Sequence, residues 1–372
     1  MNLQMREYRL PLPDELRDQW RQLESEAEHP SVFRTPEWIE ARTEVLGLTD
    51  DTRIFVWKEE DRVAAVFSVT ATRERLHPRV PVSVPVLTNA GAGTGAADHT
   101  GWSAADGADE RALAWLRATQ QTVVLRNLDP RLASQLGDEG VLVQRERCPR
   151  LDLTSEGRQT SFRKRVAYYR RRAAREGCTL VATLPGDVTE RQLVTLSHLH
   201  KQRFGGSSVL SDQAIAIQDA LRRRQRTDLG PVAVTATVHG RPVGMLWGLW
   251  FAGVFAYYQS GWLPEYRWLN LGTVLVEEAI GIARELGAVT FDFLRGAEEY
   301  KYRFGATDRI DSTILIPRGL PGSLLQLKAR TRAVLRSQAE GQGANGSGAR
   351  NLLSSRRGVM GDRSSVSRSP LT

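Results

Sequence analysis

Pro242 to Pro264 contains no charged residue, so any fold of this chain must bury the run or place it in a membrane. A helix that spans a bilayer needs about 20 consecutive apolar residues. Gly244, Gly248, Gly253 and Gly261 interrupt this run, and Gln259 and Ser260 lie near its end. Ala252-Gly253 is a turn signal between two aromatic, β-rich segments. The run therefore reads as two central strands of a sheet, Val243–Phe251 and Val254–Ser260. With Val232–Val238 they form an antiparallel meander, because the links are too short for crossovers.

Arg267-Trp268-Leu269-Asn270-Leu271-Gly272 follows and leads into a helix, Thr273–Leu286, stopped by Gly287. A strand at Val289–Leu294 then lets this helix cross over between parallel strands. Amides at Asn270–Val274 are free at the helix start and suit a pyrophosphate. Asn270 tolerates left-handed dihedrals, and Gly272 lets an anion approach the backbone. After the strand, Gly296 breaks the chain and Glu298–Phe304 reads as two turns of helix closed by Gly305. Asp292, Arg295, Tyr300 and Lys301 are thus gathered where a strand ends, a usual place for chemistry in open α/β sheets. Two readings of Asp292 stand: a reacting carboxylate, or a buried one paired with Arg295 or Lys301 to hold the corner.

The first half carries helix signals at Asp14–Glu28 and after Thr35-Pro36, strands at Arg53–Lys58 and Arg62–Thr72, and a glycine-rich loop, Asn89–Gly95. That loop is read either as a phosphate cradle or as a substrate-facing loop. Helix and strand signals alternate from Glu110 to Glu146. Ser161–Gly177 reads as a helix with Phe162, Val166, Tyr169 and Ala173 on one face. Its other faces hold seven cations, including Arg171 and Arg172, either a solvated surface or a place for an anion. The net charge of the 372-residue chain is +8, and the tail Gly341–Thr372, with five Arg and one Asp, carries +4 of it. A DNA-binding domain would concentrate more. His198 and His200 are two apart on a helix and make a poor metal pair. Cys148 and Cys178 lack metal or redox spacing and are expected as buried thiols in a reducing compartment. Met1–Leu10 has no apolar run, so a cytoplasmic location is expected.

The loop Arg267–Gly272 resembles the acyl-CoA pyrophosphate loop of the GNAT superfamily, with Asn270 where the pattern has its first glycine. Asp292 to Gly305 resembles the Asp-Phe-x-x-Gly…Tyr-Lys-x-x-Phe/Trp-Gly signature of CelD/BcsL-type acetyltransferases, and Ser161–Gly177 resembles their arginine-rich helix. Phe33–Trp38 and Asp98–Trp102 resemble weaker motifs of their first domain. The likeness runs from about Phe33 to Ile316, and these proteins are similar to FemAB-type transferases.

The resemblance implies a mixed-sheet α/β fold with two GNAT-like domains in tandem: residues 1–150, and residues 151–320 carrying the acyl-CoA site. An amphipathic helix (321–340) and a disordered basic tail (341–372) are expected beyond them. It implies an acyl-CoA-dependent N- or O-acyltransferase, with acetyl-CoA or another acyl-CoA as co-substrate and no metal. Arg267, Asn270, Leu271, Gly272 and Thr273 would hold the donor, Tyr300 would be the acid, and Asp292 and Lys301 would assist. Gln259, Arg295, Asp98, Arg171 and Arg172 would meet an anionic acceptor: a sugar nucleotide, lipid-linked saccharide or polysaccharide precursor. A peripheral membrane contact is compatible with the basic surface. A transferase that uses aminoacyl-tRNA and a non-catalytic anion-binding module are the alternatives.

Overall fold

The computed structural model describes residues 4–77, 80–155, 160–205 and 210–331. In chain order the first half holds β1 (Gln4–Tyr8), α1 (Asp14–Ser25), α2 (Pro36–Leu46), β2 (Thr52–Glu59), β3 (Arg62–His77), β4 (Val80–Asn89), β5 (Ser103–Ala104), α3 (Asp109–Ala118), β6 (Val123–Leu128), α4 (Pro130–Gln135) and β7 (Val141–Asp152). The second half holds α5 (Thr160–Arg175), β8 (Cys178–Thr183), α6 (Glu190–Phe204), α7 (Asp212–Arg222), β9 (Leu229–Val238), β10 (Arg241–Phe251), β11 (Val254–Trp262), α8 (Leu271–Glu285), β12 (Thr290–Asp292), α9 (Glu299–Arg303) and β13 (Thr307–Ile316). Met1–Leu325 is one compact unit. The other unit, Gln326–Thr372, is described only as far as residue 331, where the chain is helical. The rest of the expected amphipathic helix and the basic tail lie outside the described residues.

The charge-free run forms β10 and β11, antiparallel to each other and to β9. Both strands are almost wholly buried, which explains why they carry no charge. Among the described residues, no helix is long and apolar enough to cross a membrane. Thr35 caps α2 by accepting from the Trp38 amide, with Pro36 first in the helix. α8 crosses over from β11 to a parallel β12.

One mixed sheet runs through the unit in the order β1-β2-β3-β4-β6-β13-β7-β12-β11-β10-β9-β8. Its centre is interlocked. β13, last in sequence, lies between β6 and β7, while β7, from the first half, reaches across to pair with β12. The position expected for a boundary, residue 150, lies inside β7.

At Ala90 and Gly91 the glycine-rich loop is packed against α2 and the segment before it. Trp38 is fully buried and its Nε1 donates to the Gly91 carbonyl at 2.9 Å, while Arg42 Nη1 donates to Ala90 at 2.8 Å. A Cβ on Gly91 would sit 2.3 Å from the Phe33 carbonyl oxygen, so only glycine fits this approach. Cys148 and Cys178 are buried free thiols.

Candidate active site

β11 carries a bulge. Trp247 pairs with Gln259 and Gly248 with Tyr257, so Tyr258 is the extra residue. β11 pairs with β12 only from Val254 to Ala256, opposite Thr290 to Asp292. β12 then stops, while β11 continues to Trp262. The two parallel strands therefore part, and along Tyr257–Trp262 that edge of β11 has no strand partner among the described residues. Gln259 lies in this stretch, half-buried.

α8 begins where β11 delivers the chain. Asn270 is left-handed (φ 55°, ψ 40°), and its carbonyl accepts from the Thr273 and Val274 amides at 2.9 and 3.1 Å. Helix geometry leaves the first amides, Leu271 and Gly272, without an intrahelical acceptor. Leu271 has a buried side chain, so it offers the site only its backbone. Arg267 is exposed and Thr273 half-buried. Gly272 has a second role unseen in the sequence: a Cβ there would meet the Trp262 ring at 2.8 Å. Gly272→Val is therefore expected to cost about 1–3 kcal/mol of stability through overpacking and to weaken binding of an anion at the helix start. A calorimetric dissociation constant for acetyl-CoA equal to wild type removes the loop from the site.

On the other side of the gap the chain turns sharply after β12, with Leu294 left-handed at φ 55° and Gly296 at φ 107°. Lys301 Nζ holds this corner by donating to the carbonyls of Leu294 (3.2 Å), Arg295 (2.9 Å) and Gly296 (2.9 Å), with Glu298 2.9 Å away. Lys301 is 3% exposed, so it clamps the corner and faces no open site. The clamp seats Tyr300, whose ring meets Phe293 edge-on at 6.2 Å and whose hydroxyl lies beside Tyr257. Burial, then Tyr257 and Glu298, push the Tyr300 phenol above its ordinary value, so it stays protonated. Tyr257 also bonds Ser260 Oγ. Arg203, at the end of α6, donates to Ser260 Oγ at 3.1 Å and lies 3.5 Å above the Trp262 ring. Burial lowers its pKa against the pull of the two tyrosines. Buried His200 meets the Ser260 carbonyl at 3.1 Å, and burial lowers its pKa.

Behind this surface lies a buried ionic core that joins the two halves. His99 Nδ1 and its backbone amide meet Asp311 at 2.8 and 2.6 Å. His99 Nε2 forms an ion pair with Asp292 at 2.8 Å, out of line for a hydrogen bond. Burial would lower the His99 pKa, but the two carboxylates hold it well above the ordinary imidazole value. Asp292 is 3% exposed and also accepts from the Leu294 amide at 2.7 Å. Burial pushes its carboxyl up, yet His99 and that amide hold it below the usual range. Asp98 is fully buried between Arg295 (Nε at 2.7 Å, amide at 2.9 Å) and Asn127 (3.1 Å). Asp292 and Asp98 thus face the interior, away from where an acceptor base or acceptor-binding group must act. Asp292 pairs with His99, neither with Arg295 nor with Lys301. Local pattern holds no cue to Asp311, Tyr257 or Arg203, and His99 enters only within the motif Asp98–Trp102, since each matters through its contacts in the fold.

His99, Cys148 and Asp311 are the described residues with metal-like spacing, their donor atoms within 4.8 Å of one another. Burial, then the neighbouring carboxylates, raise the Cys148 thiol, and Asp311 and Asp292 raise His99 against the pull of burial. Arg171 is exposed, Arg170 pairs with Glu278 at 2.7 Å, and Arg172 stacks over Trp268 at 5.1 Å.

Residues 160–302 match the family model described as an acetyltransferase (GNAT) domain. Among solved structures the chain is similar to FemX, at 12% identity over 87% of this chain and 100% of that one, with a TM-score of 0.60. It is similar to L-PGS from Bacillus licheniformis (13% identity, 79% and 96% covered, TM-score 0.50). It is similar also to the C-terminal domain of a putative lysylphosphatidylglycerol synthetase from Agrobacterium fabrum (11%, 85% and 96%, 0.50). At these identities the likeness is one of fold. No curated protein matches the chain. The chain carries a GNAT-type acyltransferase domain on a mixed α/β sheet, and its class is that of an acyltransferase enzyme.

Proposed function

We propose that the chain transfers an acyl group, acetyl in the first instance, from acyl-CoA to an amine or hydroxyl of a sugar nucleotide, lipid-linked saccharide or polysaccharide precursor. The supporting observation is the parting of β11 and β12 between the start of α8 and Tyr300. In this reading the pyrophosphate lies on the amides of Leu271 and Gly272, and the thioester lies in the gap near Tyr257 and Tyr300. The acceptor nitrogen or oxygen attacks the thioester carbonyl and gives its proton to water, the carbon–sulfur bond breaks, and Tyr300 protonates the departing thiolate and regains a proton from water. Asp292 and Lys301 are positioning residues that fix the corner on which Tyr300 stands. The acceptor class follows from the likeness to CelD/BcsL-type acetyltransferases over Asp292–Gly305 and Ser161–Gly177. Two GNAT-like halves meeting at the interlocked strands belong to the same reading.

Calorimetric titration of the full chain with acetyl-CoA tests it. Saturable one-site binding with slow thiol release, accelerated by an aminosugar, is expected. A chain that binds no acetyl-CoA contradicts the proposal.

A further inference from the structure

The arginine-rich helix α5 lies outside the gap, yet it bridges the two helices that bracket it. At one end Phe162 meets Phe304, just past α9, edge to face at 5.0 Å. Further along, Arg172 stacks over Trp268, two residues before Asn270, and Arg170 is tied to Glu278 of α8. Helical spacing sets Arg165, Tyr168, Arg172 and Arg175 in one stripe. Tyr168 is 48% exposed and Trp268 40%. Arg165, Arg303 and Glu299 line a cavity of about 440 Å³ with Phe162 and Tyr302, and Glu299 is paired there with Arg303 at 2.8 Å. Among the described residues, no carboxylate is within ion-pair distance of Arg165, Arg171 or Arg175. Cations so placed repel one another and favour an anion in front of them.

We infer that α5 reads the 3′-phosphate of the acyl-CoA donor, with Arg165 and Arg172 as the recognising cations. This rests on the donor reading above. CoA bears a pyrophosphate and, one ribose away, a separate 3′-phosphate dianion. With the pyrophosphate on Leu271 and Gly272, the Arg172 guanidinium over Trp268 stands beside the loop that opens α8. Tyr168 and Trp268 give the attached adenine flat faces to lie against. Arg172 thereby belongs with the donor, where the sequence reading assigned it to the acceptor.

The test compares acetyl-CoA with acetyl-3′-dephospho-CoA by calorimetry on the full chain. Wild type is expected to bind acetyl-CoA at least about tenfold more tightly, the worth of one good charge-assisted contact. In Arg165→Gln/Arg172→Gln the preference is expected to fall below about threefold. Equal affinities in wild type, or a preference that survives the double substitution, overturn the inference and leave the donor reading standing. Binding of neither compound overturns both, and retention of a charged tRNA would then assign the helix to RNA. The wild-type comparison decides the matter even where the variant is unstable.

Discussion

Tyr300→Phe is expected to lower kcat by about 10²–10⁴-fold, the usual worth of a positioned general acid, with acetyl-CoA affinity and melting temperature near wild type. The substitution keeps the ring against Phe293 and removes only the hydroxyl beside Tyr257. Burial holds that phenol protonated at neutral pH, the form a general acid needs. Steady-state kinetics alongside calorimetry separates this from a packing defect, which would raise Kd or lower the melting temperature first. A variant with near-normal kcat shifts the proton to Tyr257, which is hydrogen-bonded to Ser260 Oγ beside Tyr300.

His99→Leu is expected to cost about 3–5 kcal/mol of stability, because it leaves buried carboxylates without their cation. Asp292 and Asp311 are 3% and 0% exposed, and His99 lies between them. The pH dependence follows from the two shifts. His99 has a raised value, so its contribution is complete below the ordinary imidazole value and is lost as pH rises through the raised one. Asp292 has a lowered value, so its contribution is complete above the ordinary carboxylate value and is lost as pH falls through the lowered one. Both are complete between about pH 4 and 6.5. Urea unfolding should show the widest separation of variant from wild type there, narrowing in acid as Asp292 takes up a proton. A loss below about 1 kcal/mol, the range of an exposed pair, would mean that the ionic core does not hold the halves together.

The second half was the more legible part of the sequence. β9, β10 and β11 show long apolar runs punctuated by glycine, and α8 has a clear start and stop, so hydrophobic period and turn chemistry were enough. β13 was not legible. Asp308, Arg309 and Asp311 interrupt its pattern, and they are tolerated in a central strand because Arg309 meets Asp129 and Asp311 meets His99. Those partners are 180 and 212 residues away along the chain, beyond the reach of any local pattern. The same distance hid the fate of Asp98 and Asp292. Both stood beside chemistry-bearing residues in sequence, but their charges are spent on Arg295 and His99 in the interior. Gly272 was noticed for its freedom of approach, while its contact with Trp262 depends on how β11 and α8 meet in space. The clamp role of Lys301 needed the left-handed Leu294, which turns three carbonyls toward one ammonium.

The claim on which the rest depends is that acyl-CoA lies where β11 and β12 part. Hydrogen–deuterium exchange of the full chain with and without acetyl-CoA measures this directly. The account predicts added protection at the backbone amides of Tyr257–Trp262 and Leu271–Gly272, with little change in β2, β3 and α3. Saturable binding that protects some other segment and leaves these amides unchanged would contradict it.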